Sequence, residues 1–526
     1  METATVPQTT AAVLKQILSA SGYSEDLAAR ELFSQDIWAK GVTADFIATP
    51  ETVEQLQQTV AACHQHNIAL NPRGGGMSYT SSTTPDRQGV GILDLSRLDK
   101  IVEINKDDMY VTAQAGVTWK QLYDALKPLG LRTPFWGPLS GLNSTIGGGL
   151  SQGNAIFGAG IYGTTADSVT GLLVVLADGT PVRTGTGATK VGKPFWRYYG
   201  PDLTGLFCGD SGTLGFKAEI TFRLIPWPEH EEWATFEFAT RDACAEAMAA
   251  VARQNLACEV FGFDPALTRV RLKRASLAAD TKTLANVVKA QGNLLKGLQE
   301  GAKIAMAGRN FMEADSWSLH FVVEGRSKAG VAEDMKRLKA ACAAAGGKES
   351  ENSIPKIVRA NPFTPPNTIL GAEGERWVPV HGIVSLSDGP KVWKALEDYF
   401  ASLSAEFEKY EIQTGFLISS LGTTAYLIEP VFMWPEELLA IHEDTVDPAH
   451  LRKLKRFPAN PAATAAVTRA RRGVVDLFDS FGAAHFQIGR CYPYSEVLSD
   501  ASLNLLKAVK AVVDPKGNVN PGALGL

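Results

Sequence analysis

Two glycine-rich segments carry the clearest chemistry in this sequence. Residues 71–80 read NPRGGGMSYT and follow the strand-like run IAL, and residues 137–149 read GPLSGLNSTIGGG. Successive glycines let neighbouring backbone N–H groups converge on one anion, because no Cβ atoms stand in the way. Ser78 and Thr80 add hydroxyl donors to the first segment. Two such loops within one domain length predict a site that holds a pyrophosphate and an extended cofactor.

The glycines do not follow the pattern of a nicotinamide-binding fold. That pattern places GxGxxG at the start of a helix and an acidic residue about 20 residues later. Neither segment has this arrangement. A Rossmann-type dinucleotide site is therefore a poor match.

A histidine near the C-terminus is the main candidate for acid–base chemistry. His485 lies within residues 482–494, which read GAAHFQIGRCYPY. Histidine is the commonest general base because its ordinary pKa lies close to neutrality. A nearby arginine is a candidate anchor for an anionic substrate group. The full set of catalytic candidates is His485, Arg490, Tyr492, Tyr494, His381 and Arg376.

The composition is that of an ordinary globular protein and excludes several classes. The chain has 526 residues, 51 Lys+Arg against 56 Asp+Glu and a net charge of −5, so no broad basic surface for nucleic acid is expected. No apolar run approaches the length of a membrane span, and the N-terminus lacks a signal-peptide pattern, which predicts a cytoplasmic protein. The six cysteines form no CxxC or CxxCH, so we expect no metal site and no haem.

The succession of helical, strand-like and glycine-rich runs along the chain predicts four segments. Residues 1–35 indicate a helical N-terminal segment, and residues 36–228 combine short β-rich runs, helices and most of the glycine-rich loops. Residues 229–479 indicate a second α+β domain, with helical patterns that include residues 276–306. In residues 480–526, glycine and proline residues again occur frequently on both sides of one predicted helix. The apolar helices of the second domain permit a homodimer.

The ordered motifs of the first domain resemble those of the vanillyl-alcohol oxidase/p-cresol methylhydroxylase flavoproteins. The similar segments are PRGGGMSYT, TIGGGLSQGN followed by YGTTADSVTGLLVVLADGTPVRTG, GPDLTGLFCGDSGTLGFKAEITFRLIP and the closing DPKGNVNPGAL. The resemblance implies an α+β fold in which a two-subdomain FAD-binding domain (36–228) carries a substrate-binding cap (229–479), and the tail (480–526) returns to the active site. It also implies FAD as cofactor and a small-molecule substrate.

The same resemblance assigns positions to the cofactor. The first loop is expected to wrap the pyrophosphate, the second to run along the ADP and flavin, and residues 212–215 to line the adenine end. The implied FAD-binding residues are Pro72, Arg73, Gly74, Gly75, Gly76, Met77, Ser78, Tyr79, Gly137, Pro138, Leu139, Ser140, Ser144, Thr145, Gly147, Gly148, Gly153, Asn154, Gly215, Ile220, Tyr426 and Asn520.

Noncovalent FAD is the expectation. Several relatives attach the flavin through a histidine in the first loop, but Met77 stands at that position and its thioether cannot form the bond. The position of a second anchor, a cysteine in some relatives, reads Trp136-Gly-Pro. The strand LGTTAYLIEPVFMW resembles a cap strand that carries a linking residue, so a tyrosyl link through Tyr426 is the covalent alternative.

The catalytic pattern departs from both branches of the family. In the hydroxy-acid dehydrogenases the tail histidine follows a glutamate and a metal is present, but here Ala484 precedes His485. In the phenol-oxidising members an aspartate and a Tyr-Arg pair are present, but here those positions are Thr145 and Gly482-Ala483. Three functions stay open: an FAD oxidase or dehydrogenase of an aromatic alcohol with His485 as base, a metal-independent D-2-hydroxy-acid dehydrogenase that uses Arg490, and a flavin-dependent lyase.

Overall fold

Residues 8–230 fold into short strands and helices because glycine, proline and polar turn residues interrupt the apolar runs. The computed structural model describes residues 8–270 and 315–526. The helical pattern predicted over residues 276–306 lies outside the described residues. Helices and sheets are both present throughout the described parts, in agreement with the predicted α+β class.

The strands are numbered in chain order. They are β1 (Tyr23–Ser24), β2 (Phe46–Ala48), β3 (Ala69–Arg73), β4 (Val90–Asp94), β5 (Ile101–Asn105), β6 (Tyr110–Gln114), β7 (Leu131–Arg132), β8 (Val169–Val175), β9 (Pro181–Arg183), β10 (Phe216–Arg223), β11 (Ile225–Pro226), β12 (His230–Phe238), β13 (Glu259–Phe263), β14 (Trp317–Gly325), β15 (Lys348–Ser350), β16 (Arg376–Pro379), β17 (Gly382–Ser385), β18 (Gln413–Leu421) and β19 (Ala425–Trp434).

The α-helices of the described residues are numbered in the same way. They are α1 (Gln8–Ile17), α2 (Leu27–Phe33), α3 (Val53–Gln65), α4 (Trp119–Leu126), α5 (Ile146–Gln152), α6 (Ala159–Tyr162), α7 (Leu203–Leu206), α8 (Arg241–Arg253), α9 (Lys328–Ala344), α10 (Ser353–Ala360), α11 (Gly389–Ser402), α12 (Ser404–Lys409), α13 (Ala440–Thr445), α14 (Pro448–Leu451), α15 (Pro461–Ser480), α16 (Tyr494–Val497) and α17 (Asp500–Val513).

Two larger sheets and the two-stranded pair of β7 and β11 build the first domain. The order β1-β2-β4-β3 forms a sheet in which β2, β4 and β3 are parallel, and β5-β6-β10-β8-β9 forms an antiparallel sheet. β1 pairs with β2, so the N-terminal segment contributes a strand to the first sheet. The first glycine-rich loop follows β3, and Thr145 caps α5 through its Oγ1, which accepts from the Gly148 N–H at 3.2 Å. Both loops are thus fixed to regular elements at one end.

One large sheet dominates the second domain. Its order is β15-β12-β14-β13-β18-β19-β16, with β17 also paired to β19. Side chains alternate between the two faces of each strand. One face packs against α8, α9, α11 and α15 in the largest apolar core, which contains Trp393, Trp434 and Tyr426. On the other face, Leu421 and Leu427 contact Ala159 of the first domain and Phe486 of the tail.

The C-terminal tail joins both domains. Leu70 of β3 bridges Val519 in parallel, and Ile383 of β17 bridges Ala484. Residues 484–492 therefore lie between the first domain and the cap sheet, where the sequence places its candidate base. No helix within residues 8–270 and 315–526 combines the length and the apolar character needed to cross a membrane.

Candidate active site

A long cleft runs between the two glycine-rich loops. It encloses about 960 Å³, part of it open to solvent. Sixteen of the residues assigned to FAD line it: Pro72, Arg73, Gly74, Gly75, Gly76, Met77, Ser78, Tyr79, Pro138, Ser140, Ser144, Thr145, Gly147, Gly148, Asn154 and Gly215.

The two loops touch through their backbones. A Cβ atom on Gly75 would lie 2.0 Å from the carbonyl oxygen of Asn143, and one on Gly74 would lie 2.3 Å from Oγ1 of Thr145. Only glycine fits at these approaches. The consecutive backbone N–H groups of residues 74–79 donate no hydrogen bond to any residue that the structure describes. A row of unpaired N–H groups in a glycine cradle fits the pyrophosphate of FAD.

Arg73 braces the first loop from behind. Its guanidinium donates to the carbonyl oxygens of Phe33 (3.3 Å) and Gln35 (2.8 Å) and stacks on the Phe33 ring at 4.9 Å. The residue lines the cleft, but its charged group holds α2 and the turn after it. The predicted wrapping of the pyrophosphate therefore depends on the backbone of residues 74–79.

Five of the assigned residues lie beside the cleft or behind it. Gly137 has φ +139° and bridges Phe157, and Leu139 lines a second cavity. Gly153 ends α5 in the left-handed region, and Ile220 is fully buried inside the antiparallel sheet. The Asn520 side chain donates to the carbonyls of Ser82 (2.9 Å) and Ser211 (2.6 Å), so it fastens the tail.

Tyr426 lies away from the cleft. It is on β19, fully buried on the helix-covered face of the cap sheet, where a Cβ on Gly389 would meet its ring at 2.6 Å. Leu427, the next residue, faces the tail and the first domain instead. The structure thus does not bring the proposed tyrosyl anchor together with the cofactor loops.

Several lining residues were not predicted. They are Thr83, Leu95, Ala115, Gly149, Ser151, Gln152, Ser211, Phe216, Lys217 and Gln487. Gln487 has φ +53°, and its N–H donates to the Gln152 carbonyl at 2.6 Å. Its position two residues after His485 is a signal that the motif contained, because the same tail segment approaches the cofactor loops.

His485 is held by two hydrogen bonds. Its Nδ1 lies 2.7 Å from the carbonyl oxygen of His381, and its Nε2 lies 3.0 Å from Oδ1 of Asp479. The ring also stacks on Tyr492 at 4.2 Å with an interplanar angle of 19°. Both ring nitrogens therefore have protein partners, and the imidazole fixes the position of the His381 segment.

A second histidine, His381, is paired with a carboxylate. Its Nε2 lies 3.2 Å from Oε2 of Glu429 on β19, and its Nδ1 lies 3.5 Å from the Tyr492 hydroxyl. The His381 backbone N–H donates to that hydroxyl at 2.7 Å. Burial raises the pKa of Tyr492, so its phenol keeps its proton at neutral pH and can donate to the imidazole.

Glu429 is the residue of this group that sequence reasoning missed. Its side chain is 14% exposed, against 3% for His381, so it is the more accessible member of the pair. The negative charge of Glu429 also acts on Tyr79, whose pKa is raised mainly by burial. The available signal was a single carboxylate in the otherwise apolar strand AYLIEPVFMW.

The remaining catalytic candidates, Arg490, Arg376 and Tyr494, lie in the following surroundings. The Arg490 guanidinium donates to the carbonyls of Ser81, Ser82 and Pro521 and to Oδ1 of Asn520, at 2.6–3.1 Å. The Arg376 guanidinium lies 6.0 and 5.2 Å from the ring centroids of Trp38 and Trp434, which contact each other. Tyr494 is half-buried at the start of α16. No group of three or more His, Cys, Asp or Glu residues within 8–270 and 315–526 could hold a metal ion.

A buried histidine connects the cap to the first loop. His442 accepts from the Leu439 N–H through Nδ1 (3.0 Å), and its Nε2–H donates to the Ile37 carbonyl (3.1 Å). The Ile37 N–H in turn donates to the carbonyl of Ser78. Burial and the charge of Arg376 lower the pKa of His442 to about 3. The folded protein therefore requires the neutral imidazole.

Acidification should destabilise the protein through this histidine. Below the ordinary histidine pKa of about 6.5, His442 takes up a proton in the unfolded chain but stays neutral in the folded chain. The free energy of unfolding therefore falls as the pH decreases toward 3. Between pH 6.5 and pH 5 we expect the wild type to lose about 2 kcal/mol more unfolding free energy than His442→Gln. Urea unfolding at both pH values checks this, with the exposed His66→Gln as control. Parallel pH slopes for wild type and His442→Gln would contradict it.

The class of the first domain follows from its loops, its cleft and a family match. A model of the FAD binding domain matches residues 44–185, which contain both glycine-rich loops. These residues form an FAD-binding domain. The prediction of a flavoprotein with FAD as cofactor is confirmed at the level of this domain.

Curated proteins of similar sequence include a glycolate oxidase subunit and a 4-cresol dehydrogenase flavoprotein subunit. The chain is 31% identical to the glycolate oxidase subunit GlcD of Bacillus subtilis over 238 residues, which cover 44% of this chain and 49% of that protein. It is 32% identical to the 4-cresol dehydrogenase flavoprotein subunit of Pseudomonas putida over 187 residues, 34% of either chain. The match spans about half or less of the length of these relatives.

A solved structure extends the likeness to the whole fold. The crystal structure of p-cresol methylhydroxylase with bound substrate superposes with a TM-score of 0.74 at 18% identity, covering 99% of this chain and 98% of the other. The chain therefore has the same overall fold as that protein. The resemblance to the vanillyl-alcohol oxidase/p-cresol methylhydroxylase flavoproteins is confirmed for the fold.

Proposed function

We propose that this protein is an FAD-dependent oxidoreductase that removes a hydride from an alcohol-bearing, aromatic small molecule. The observation that carries the proposal is the cleft between the two loops, whose unpaired backbone N–H groups fit a pyrophosphate. The tail enters the wall of this cleft at Gln487, two residues after His485, whose Nδ1 lies 2.7 Å from the carbonyl oxygen of His381, and His381 in turn pairs with Glu429. When bound, FAD supplies the hydride acceptor.

The protein residues bind, orient and take up the proton. Residues 74–79 hold the pyrophosphate, and Gln152 and Gln487 close the cleft toward the cap. The proton of the substrate hydroxyl goes to the Glu429–His381 pair, which Tyr492 orients. His485 is a positioning residue, because it fixes the His381 carbonyl from one side and Asp479 fixes His485 from the other.

The aromatic substrate is favoured over a 2-hydroxy acid by the surroundings of Arg490. A carboxylate anchor needs free donors, but the two Nη atoms of this guanidinium already serve four acceptors of the first domain and the tail. Its Nε has no hydrogen-bond partner among the described residues and lies 3.8 Å from Oδ2 of Asp86, whose negative charge disfavours a second carboxylate. The electron acceptor, oxygen or a separate carrier, and a homodimeric state stay predictions from the sequence, as does the cytoplasmic location.

The absorbance spectrum of the purified protein tests the cofactor. We expect flavin bands near roughly 370 and 450 nm. The colour should stay in solution after acid precipitation, because Met77 cannot form a bond to the flavin and Tyr426 lies in the cap core. Tyr426→Phe should release the flavin in the same way as the wild type. Colour that precipitates with the wild type and not with Tyr426→Phe would establish the tyrosyl link instead.

Anaerobic titration with aromatic alcohols and with D-2-hydroxy acids tests the reaction. Bleaching of the 450 nm band, about one flavin per substrate oxidised, is expected for an aromatic alcohol. Bleaching by a hydroxy acid alone would support the alternative dehydrogenase. Turnover without any reduced flavin would mean that the protein is a lyase, and the proposed oxidation would be wrong.

A further inference from the structure

A second cavity lies between the FAD-binding domain and the cap sheet. It encloses about 430 Å³, part of it open to solvent. Its walls include the rings of Phe157, Phe261 and Phe263 and the side chains of Leu139 and Leu417. The lining is apolar except for one carboxylate, that of Glu259. Such a composition suits a flat, apolar ligand with a single polar end.

This cavity is lined by residues close in sequence to residues that line the cofactor cleft. Leu139 lines the cavity, whereas its neighbours Pro138 and Ser140 line the cleft. Asn154 lines the cleft, and Phe157, three residues later, lines the cavity. Two separate segments thus pass from the wall of one space to the wall of the other, so the cavity and the cleft are neighbours.

The cavity also adjoins the proposed proton acceptor. Leu417 of β18 pairs with Glu429 of β19 on one side and with Phe263 of β13 on the other. These three residues share one face of the sheet, with adjacent strands about 4.8 Å apart. The wall of the cavity therefore continues directly to Glu429.

Glu259 has one oxygen without a partner. Its Oε1 lies 2.5 Å from Nη1 of Arg359, while Oε2 has no hydrogen-bond partner among the described residues. The residue is 2% exposed. A buried carboxylate oxygen with no donor costs free energy, so the site calls for a ligand that supplies one.

Glu259 belongs to a cluster of charged side chains in which the carboxylates outnumber the guanidinium groups. Glu231 and Glu324 are directly opposite each other on β12 and β14, and Arg359 bonds to both at 2.5 Å. Arg132 bonds to Glu324. Three carboxylates thus share two guanidinium groups. Burial, opposed by Arg359, raises the pKa of Glu259 to about 7.

We propose that this cavity is the substrate pocket and that Oε2 of Glu259 binds the polar end of an aromatic substrate that carries a hydrogen-bond donor, a hydroxyl or an amine. The inference rests on the proposed function for the place of the reaction. It adds that the pocket rejects an acidic end, because a carboxylate there would meet the unpaired oxygen of Glu259 and the surplus charge of the cluster.

Calorimetric titration of the FAD-loaded protein at pH 8 tests the pocket with benzylamine, benzyl alcohol and benzoate, which share a ring and differ in the polar end. We expect benzylamine to bind at least about tenfold more tightly than benzoate. Glu259→Gln should remove about tenfold of the benzylamine affinity and leave benzyl alcohol within about threefold, since an amide oxygen still accepts. Between pH 8 and pH 6 the benzylamine affinity should fall as Glu259 gains a proton, with Arg359, Arg132, Glu231 and Glu324 the charges that face it.

Two further variants keep the test decisive if Glu259→Gln folds poorly. Leu417→Trp fills the cavity without a change of charge and should weaken all three ligands about tenfold. Glu397→Gln, which removes a cap carboxylate bonded to Arg241 outside the pocket, should change none of them. Equal binding of benzoate and benzylamine, or unchanged binding in Leu417→Trp while the protein holds FAD, would overturn the inference. A protein without FAD would overturn the proposed function instead.

Discussion

Gly75→Ala should leave the protein folded and nearly free of FAD. The new Cβ would lie 2.0 Å from the Asn143 carbonyl oxygen and 2.8 Å from its carbon, both backbone atoms that cannot rotate away. The two loops must separate, and the cradle of N–H groups between them opens. A displacement of this kind costs about 1–3 kcal/mol. We expect an FAD affinity about 100-fold lower than in the wild type, as measured by fluorescence titration of the apoprotein.

Gly187→Ala is the matched control for this variant. Its Cβ would lie 3.3 Å from the nearest atom, a side-chain carbon of Pro194, and residue 187 does not line the cleft. It should purify with the flavin content of the wild type. Circular dichroism should be the same for all three proteins. If Gly75→Ala binds FAD within about threefold of the wild type, the contact between the loops does not shape the pyrophosphate site.

The sequence predicts the cofactor loops well because backbone chemistry defines them. Glycine runs such as residues 74–76 constrain the fold locally, and their function does not depend on which distant side chains surround them. Thr145 is held locally as well, because its Oγ1 accepts from the Gly148 N–H and caps α5. The fold class and the FAD-binding domain could therefore be predicted from local motifs.

The reacting groups could not be predicted equally well, because they depend on the register of the cap strands. A shift of one residue exchanges the two faces of β19, which decides that Tyr426 packs under the helices and that Leu427 and Glu429 face the tail. Glu259 carries no local signal at all. Its unpaired oxygen results from one arginine on α10 that bonds to carboxylates of three different strands.

Glu429→Gln should slow the reduction of bound flavin by substrate about 100-fold or more. The amide keeps the shape of the side chain and its contact with His381, but it cannot take up a proton or stabilise a protonated imidazole, and general base catalysis supplies about 100- to 10,000-fold. Stopped-flow spectroscopy under anaerobic conditions, with the aromatic alcohol that bleaches the flavin, measures this rate. FAD affinity should not change, since Glu429 does not line the cofactor cleft.

A comparison of Glu429→Gln with Asp479→Asn distinguishes the role of His381 from that of His485. Asp479 bonds to His485 at 3.0 Å in the same way as Glu429 bonds to His381 at 3.2 Å, so the two variants remove equivalent charges from equivalent pairs. A positioning role for His485 predicts a loss of less than about tenfold for Asp479→Asn, because the imidazole keeps its bond to the His381 carbonyl. The reverse order, a small loss for Glu429→Gln and a large one for Asp479→Asn, would make His485 the base. The pH profile of the reduction rate gives a second readout, since only the variant that lacks the true proton acceptor should lose its acid limb.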